Sequence, residues 1–138
     1  MKAEFAVAEF GRAVGVEQLS LHPLGHVRLG LPEGDWLTLE EVAEELLVSL
    51  IVLSPHLAEV ALLQALQLCE ARMAASDRVF QVGVRGDGLD TCLILVTRLP
   101  SEGTTAAQIM RAVEDCVQWV GRWRSMGADS GSGAANWR

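Results

Sequence analysis

The apolar residues of this chain change their period at His26, and that change limits the fold more than any other feature of the sequence. Before it, apolar residues recur at spacings of four and three, which predicts a short helix over residues 3–15. After it, apolar and polar residues alternate over 26–31 and again over 36–40, with a turn at Pro32-Glu33-Gly34 between them. The two alternating runs predict a β-hairpin.

The segment 40–53 combines two opposite preferences. Its first half, Glu40–Leu47, is rich in residues that favour a helix. Its second half, Leu47–Leu53, is almost wholly apolar and partly β-branched, which favours a buried strand. We interpret 42–44 as a turn and 45–53 as a third strand, while a helix over 40–47 remains the alternative.

The rest of the chain predicts two further helices on either side of a hairpin. Ser54-Pro55 favours a helix start, and that helix is expected to end near residue 75. Strands are expected at 79–84 and 89–99, joined by the turn Gly86-Asp87-Gly88. Thr105 and Gln108 have the spacing of a capping box at the start of a last helix, which is expected to end near residue 126.

These elements predict an α+β fold in the order α-β-β-β-α-β-β-α, with an antiparallel sheet packed by helices. The 138 residues are enough for one domain. We assign that domain to residues 1–126 and a flexible Gly/Ser/Ala tail to residues 127–138.

Charge and hydropathy exclude several classes of protein. Acidic residues outnumber basic ones by 18 to 11, and the net charge of −7 disfavours binding to nucleic acid or to anionic lipid. The sequence has no stretch of about 18 uncharged apolar residues and no secretory signal pattern. We therefore expect a cytoplasmic protein with no membrane span.

The residue types that usually carry chemistry are scattered. The three cysteines are not spaced as metal ligands, and the three histidines are not at helical metal-binding spacing. Gly86-Asp87-Gly88 lies between strands rather than before a helix, so a phosphate cradle is disfavoured. Six acids over 33–45 are read as a solvated face, although a carboxylate pair could serve acid–base work or hold a cation. We predict no catalytic residue, no metal site and no cofactor.

Half of the residues are apolar, which is more than a single small domain needs for its interior. The leucines of residues 57–68 cover more than one side of the predicted central helix. We infer that part of this apolar surface is buried against a second copy, a client chain or both.

The order of elements and several local patterns resemble the small acidic class I chaperones of bacterial type III secretion, of the CesT/SycE kind. The matching segments are 10–16, 26–31, 36–40 and 46–53, followed by the Leu-rich helix, the hairpin and the final helix. The amino-acid sequence of residues 37–50 is most similar to the SycN/YscB branch, whose members pair as heterodimers to bind a gatekeeper protein.

The resemblance implies a dimeric, non-enzymatic chaperone without cofactors that holds the N-terminal segment of a secreted effector or gatekeeper in extended form. Family analogy assigns client contacts to residues of the first helix and the first three strands, although at least half of all the assigned residues are expected to be core. These are Val7, Phe10, Leu29, Leu31, Leu37, Leu39, Val48 and Leu50. It assigns the interface of a homodimer or heterodimer to Leu62, Leu63, Leu66, Met73, Leu93 and Leu95.

Two other functions remain as alternatives. The first is a small dimeric regulatory or ligand-binding α+β module. The second is an enzyme whose site combines scattered residues such as His26, Asp87 and Asp90.

Overall fold

The computed structural model describes the backbone of residues 2–75 and 78–135, and the side chains of these residues except 72–75 and 128–135. Three helices, five strands and a short 3-10 turn make up this part of the chain. The elements are α1 (Glu4–Ala13), β1 (His26–Gly30), β2 (Trp36–Val42), β3 (Glu45–Leu53), α2 (Glu59–Ala75), β4 (Gln81–Arg85), the turn Gly88–Asp90, β5 (Cys92–Pro100) and α3 (Ala106–Ala135). No described helix has the length and apolar character needed to cross a membrane.

The five strands form one antiparallel sheet in the order β1-β2-β3-β5-β4. On β3 every second side chain is buried, from Leu46 to Val52, while the side chains between them are half-buried or exposed. The buried side chains belong to one core that also includes residues of α1 and α3. The helices therefore cover one face of the sheet, and the predicted fold class and element order are confirmed.

The segment 40–53 is a strand, a tight turn and a second strand. Glu41 pairs with Leu46 and Val42 with Glu45, so only Ala43 and Glu44 form the turn. The helix alternative for 40–47 is wrong, because pairing with β2 and β5 and burial of one face of β3 outweigh the helical preference of the glutamates.

The predicted start of α2 is wrong by about one turn of helix. Ser54 does not cap the helix; its backbone N–H donates to the carbonyl oxygen of Thr91 (2.8 Å) and its hydroxyl to that of Val52 (3.3 Å). The backbone N–H of His56 donates to the carbonyl oxygen of Gly88 (2.8 Å). These bonds join the segment to the β4–β5 connection, and α2 begins only at Glu59.

The β4–β5 hairpin is present, with strands shifted from the predicted ranges to 81–85 and 92–100. Its connection is longer than a tight two-residue turn because residues 88–90 form a 3-10 turn. Gly86 has a φ of +81°, and a Cβ there would lie 2.5 Å from the carbonyl oxygen of Asp90. Only glycine fits this position without displacing the turn.

Helix α3 begins as predicted and ends later than predicted. The backbone N–H of Thr105 donates to Gln108 Oε1 (2.9 Å), and the backbone N–H of Gln108 donates to Thr105 Oγ1 (3.2 Å), which completes the capping box. The helix continues to Ala135 rather than ending near residue 126. No proline lies in 127–135, and glycine weakens a helix without terminating it. The mobility of 127–138 stays a prediction.

Three aromatic rings join α3 to its neighbours. Trp119 lies between Phe80 and Trp123, with ring centroids 6.5 Å and 6.4 Å away. The indole N–H of Trp123 also donates to the carbonyl oxygen of Ala61 on α2 (2.8 Å). Such aromatic pairs contribute about 0.5–1.5 kcal/mol each beyond the area that they bury. The cluster holds α2 beside the sheet edge formed by β4.

Candidate binding surfaces

Most of the residues assigned to client contacts are core residues. Six of the eight are at most 2% exposed: Val7, Phe10, Leu37, Leu39, Val48 and Leu50. Leu29 and Leu31 alone among the eight are half-buried and have surface that another chain could contact. Alternation identifies the apolar side of each strand, and here helices already cover that side.

A pocket lies where β1 ends, between the β1–β2 turn and α3. Its apolar wall consists of Leu31, Pro32, Leu50, Val117 and Val120, and its volume is about 160 Å³. A cavity of about 150 Å³ lined by aliphatic side chains is large enough for benzene. The pocket therefore has room for one branched aliphatic or aromatic side chain.

An ion pair fixes the polar wall of this pocket. The Arg124 guanidinium on α3 donates two hydrogen bonds to Asp35, at 3.0 Å and 2.8 Å. Asp35 is only 6% exposed, and Glu33 lies 3.6 Å from the same guanidinium. The hydrogen bonds to Asp35, more than the nearby charges, raise the pKa of Arg124 above its already high ordinary value. The pair holds the β1–β2 turn against α3.

The buried Asp35 corrects one prediction about the acidic run. The run was expected to form a solvated face, yet Asp35 is buried in an ion pair. Glu41 also has a structural role, since its carboxylate accepts the backbone N–H groups of Lys2 (3.1 Å) and Ala3 (2.9 Å) before α1. The Lys2 ammonium lies 2.6 Å from Glu44, and its pKa is raised by that hydrogen bond. These contacts fasten α1 to the β2–β3 hairpin.

The pocket stands beside an unpaired strand edge. In the described sheet β1 pairs with β2 alone, so its other edge has no strand partner. Val27, Leu29 and Leu31 point to the helix-covered side and pack against the rim of the core. The β1 edge and the pocket together form one surface, which we call the β1 edge site.

A second apolar surface lies at the opposite edge of the sheet. Val60, Leu63 and Leu66 are each more than half exposed, and their spacing places them on one side of α2. Helix α2 contacts β4, the other edge strand, where Val84 is also exposed. We call these four residues the α2 edge site.

The residues assigned to the dimer interface divide between this site and the core. Leu63 and Leu66 belong to the α2 edge site, and Leu62 is half-buried beside them. Leu93 and Leu95 are wholly buried in the core, so a single chain has no surface there for a partner. The side chain of Met73 lies outside the described residues.

The nucleophilic and metal-binding residue types do not converge in the described part of the chain. Within it, no group of three His, Cys, Asp or Glu side chains could hold a metal ion. Burial raises the pKa of the Cys69 thiol to about 11 and that of Cys116 to about 12, so both are protonated at neutral pH. Cys92 is half-buried, and all three cysteines are free.

Sequence reasoning missed most of the pocket. It selected Leu31 and Leu50, but not Pro32, Val117 or the Asp35–Arg124 pair. The pair joins residues 89 positions apart in the chain. The alternation within a strand carries no information about which turn a distant helix meets.

The fold is shared with chains of solved protein complexes. The chain is similar to one in the ExsC–ExsE complex, with a TM-score of 0.68 and 22% identity over 88% of this chain and 90% of that one. It is also similar to one in the HopA1–SchA chaperone–effector complex, with a TM-score of 0.64 and 17% identity over 88% and 91% of the two chains. No protein-family model matches the sequence, and no curated protein matches it. The fold that the resemblance implied is thus confirmed.

Proposed function

We propose that this protein is a cytoplasmic chaperone of a bacterial type III secretion system. It catalyses no reaction and holds the N-terminal segment of a secreted effector or gatekeeper in extended form. Support comes from the fold, shared with a chain of a chaperone–effector complex. The observation that carries the proposal is the β1 edge site, where an unpaired strand edge ends beside an apolar pocket.

An extended client segment pairs with the free edge of β1 and becomes a sixth strand. Its main chain supplies ladder hydrogen bonds, which depend little on sequence. Alternate client side chains point to the helix-covered side, next to Val27, Leu29 and Leu31. Leu31 also lines the pocket, so the client side chain next to Leu31 enters the pocket.

The energies indicate why both parts of the site are needed. Ordering the backbone of an extended client costs about 1–2 kcal/mol per residue. Each ladder hydrogen bond returns about 0.5–1.5 kcal/mol, which on average does not cover that cost. Burying one large apolar side chain contributes about 1.5–3 kcal/mol. The pocket is therefore the selective element, and clients with a large apolar side chain at that position bind best.

The chaperone acts as a dimer, through the α2 edge site. Val60, Leu63 and Leu66 form an exposed apolar stripe along α2, and several large side chains in a row suit a second folded subunit better than one peptide side chain. The partner subunit is a second copy of this chain or a second chaperone, as the resemblance allowed.

The test is recovery of a client that depends on the pocket. Tagged protein is expressed in the source organism, and associated proteins are identified by mass spectrometry. Val117→Asp places a charge at the pocket, whereas Val14→Asp changes a valine of similar exposure, 42% against 44%, that does not line it. We expect a secreted protein to be recovered with the wild type and with Val14→Asp, and to be lost with Val117→Asp.

Limited proteolysis of the purified complex then locates the bound segment. The proposal predicts that the N-terminal segment of the client is protected in the complex and cleaved when the client is alone. Recovery of no secreted protein, or equal recovery with both variants, would refute the client-binding role. Retention of a small molecule instead would favour the ligand-binding module.

A further inference from the structure

The face of the sheet away from the helices carries an apolar row in register across the strands. Trp36 pairs with Ile51, and Ile51 pairs with Ile94. Directly paired residues point to the same face of a sheet. Trp36 is 44% exposed, and neither Ile51 nor Ile94 belongs to the core or packs against it. The three residues form the centre of what we call the open face.

Glycines end this row at both edges of the sheet. Gly30 on β1 pairs with Trp36, and Gly83 on β4 pairs with Ile94. The indole ring of Trp36 lies over Gly30, where a Cβ would be 3.5 Å from the ring. A Cβ at Gly83 would meet no described atom within 4 Å. No edge side chain therefore obstructs access to the row.

Two arginines without carboxylate partners flank the row. The Arg28 guanidinium carbon lies 4.9 Å from the centroid of the Trp36 ring. Arg85 pairs with Cys92 at the end of β4, which places it on the same face beyond the row. Among the described residues, neither arginine has a carboxylate within ion-pair distance. Unpaired cations thus border an apolar surface on a chain of net charge −7.

Among the strand residues of this face the acids are Glu40 and Glu45, and both lie on the other side of the row from Arg85. Asp87 and Asp90 follow Arg85 in the β4–β5 connection, and neither is within ion-pair distance of it. Glu45 pairs with the Arg98 guanidinium at 3.0 Å, which neutralises both. Glu40 pairs in register with His26 at the start of β1. Arg28 lies two residues from Gly30 on one side of the row, and Arg85 lies two residues from Gly83 on the other side.

We propose that the open face docks an acidic amphipathic helix of a partner protein. Extended segments add to sheet edges, whereas sheet faces are covered by helices. Edge strands β1 and β4 are four strand spacings apart, or about 19 Å, which a helix of about 13 residues spans. Apolar side chains of the helix cover the row, and carboxylates near its two ends reach Arg28 and Arg85. This surface is on the opposite side of the sheet from the pocket, so it does not rest on the proposed function.

The experiment uses two synthetic helical peptides of about 16 residues with the same leucine stripe. One peptide has glutamates beside the stripe near both ends, and the other has lysines there. Binding to the full chain is measured by calorimetry. The net charge of the protein favours the lysine peptide, so only a local effect can reverse the order. We expect the glutamate peptide to bind about tenfold more tightly or better, a difference of about 1.4 kcal/mol.

Matched variants separate this site from general electrostatics. Arg28→Glu with Arg85→Glu is expected to reverse the preference between the peptides. The double variant Arg111→Glu with Arg122→Glu makes the same change of charge at exposed positions of α3. It is expected to keep the wild-type preference for the glutamate peptide. Circular dichroism verifies that both double variants are folded.

Three results would overturn the proposal. The first is equal or tighter binding of the lysine peptide by the wild type. The second is the same behaviour for the two double variants. The third is a wild-type assembly that Ile94→Asp dissociates in light scattering, which would mean that a second copy covers the open face.

Discussion

The two edges of the sheet leave apolar surface exposed in different ways. At the β1 edge, α3 and the β1–β2 turn enclose a pocket, and a buried carboxylate holds its wall in place. At the β4 edge, α2 presents three large side chains on an exposed stripe. A pocket selects one side chain of an extended segment, whereas an exposed apolar stripe matches the surface of another subunit. The apolar residues left exposed at the two edges thus suit two kinds of partner.

The largest effect is expected at the base of the pocket. Leu50 lines the pocket and is 1% exposed, so Leu50→Ala removes a core side chain. We expect a loss of about 2–5 kcal/mol in the free energy of unfolding in urea. The loss should be the same at every protein concentration, because this side chain contacts its own chain. A loss that grows on dilution would place Leu50 at a subunit interface instead.

The ion pair at the pocket wall is expected to have a smaller effect. Asp35→Ala leaves the Arg124 guanidinium without its bidentate partner, and we expect a loss of about 1–2 kcal/mol. The figure is reduced because Arg124 is 40% exposed and water replaces part of the interaction. Urea unfolding of Asp35→Ala, Arg124→Met and the double variant measures the coupling. Additive losses would contradict a direct role of the pair in holding the turn.

The pH dependence of stability tests whether Cys116 is shielded from water on the helix-covered face of the sheet. Burial raises its pKa from 9.0 to about 12. The folded state keeps the thiol proton to a higher pH than the unfolded state does. The contribution of the protonated thiol to the free energy of unfolding is therefore complete below pH 9 and is lost as the pH rises toward 12. At pH 10 the loss relative to pH 8 is at most about 1.4 kcal/mol. Cys116→Ala should remove this part of the pH dependence in urea unfolding and leave the part due to Cys69, whose pKa is also raised by burial. A slope equal to that of the wild type would contradict a buried Cys116 thiol.

The smallest effect on the fold of one chain is expected at the α2 edge site. Leu63→Glu with Leu66→Glu changes exposed side chains, so circular dichroism should be unaltered. Light scattering should show that the mass of the assembly falls to that of a single chain, 14.9 kDa. Leu53→Glu with Leu89→Glu, at exposed leucines elsewhere, is the control. A wild type that is already monomeric would remove the contrast between the two edges.

The fold was predictable where the determining contacts are local. Alternation marked the first two strands, and the change of composition after them predicted a turn over 42–44, of which the structure leaves Ala43 and Glu44 because Val42 pairs with Glu45. The capping box of α3 needs only Thr105 and Gln108, which are three residues apart. The start of α2 was not predictable, because Ser54 bonds to Thr91 across the chain.

The site was predictable only in part, for the same reason. Alternation correctly identified the apolar side of β1, which includes Leu29 and Leu31. Alternation could not show that Leu29 and Leu31 are partly exposed while Leu39 is fully buried, since a strand pattern does not indicate where the covering helix ends. Val117 and Arg124 complete the pocket from α3, and only the folded chain brings them to the β1–β2 turn.

The role of the pocket in client binding is tested most directly by a crosslink from the pocket to a client. A photoreactive benzoyl-phenylalanine is introduced at Val117 and, in a matched variant, at Val14, and the protein is irradiated in the source organism. We expect a covalent adduct between position 117 and the N-terminal segment of one secreted protein, and none from position 14. Crosslinking from both positions alike, or only to a folded region of the captured protein, would contradict a pocket that accepts a side chain of an extended client.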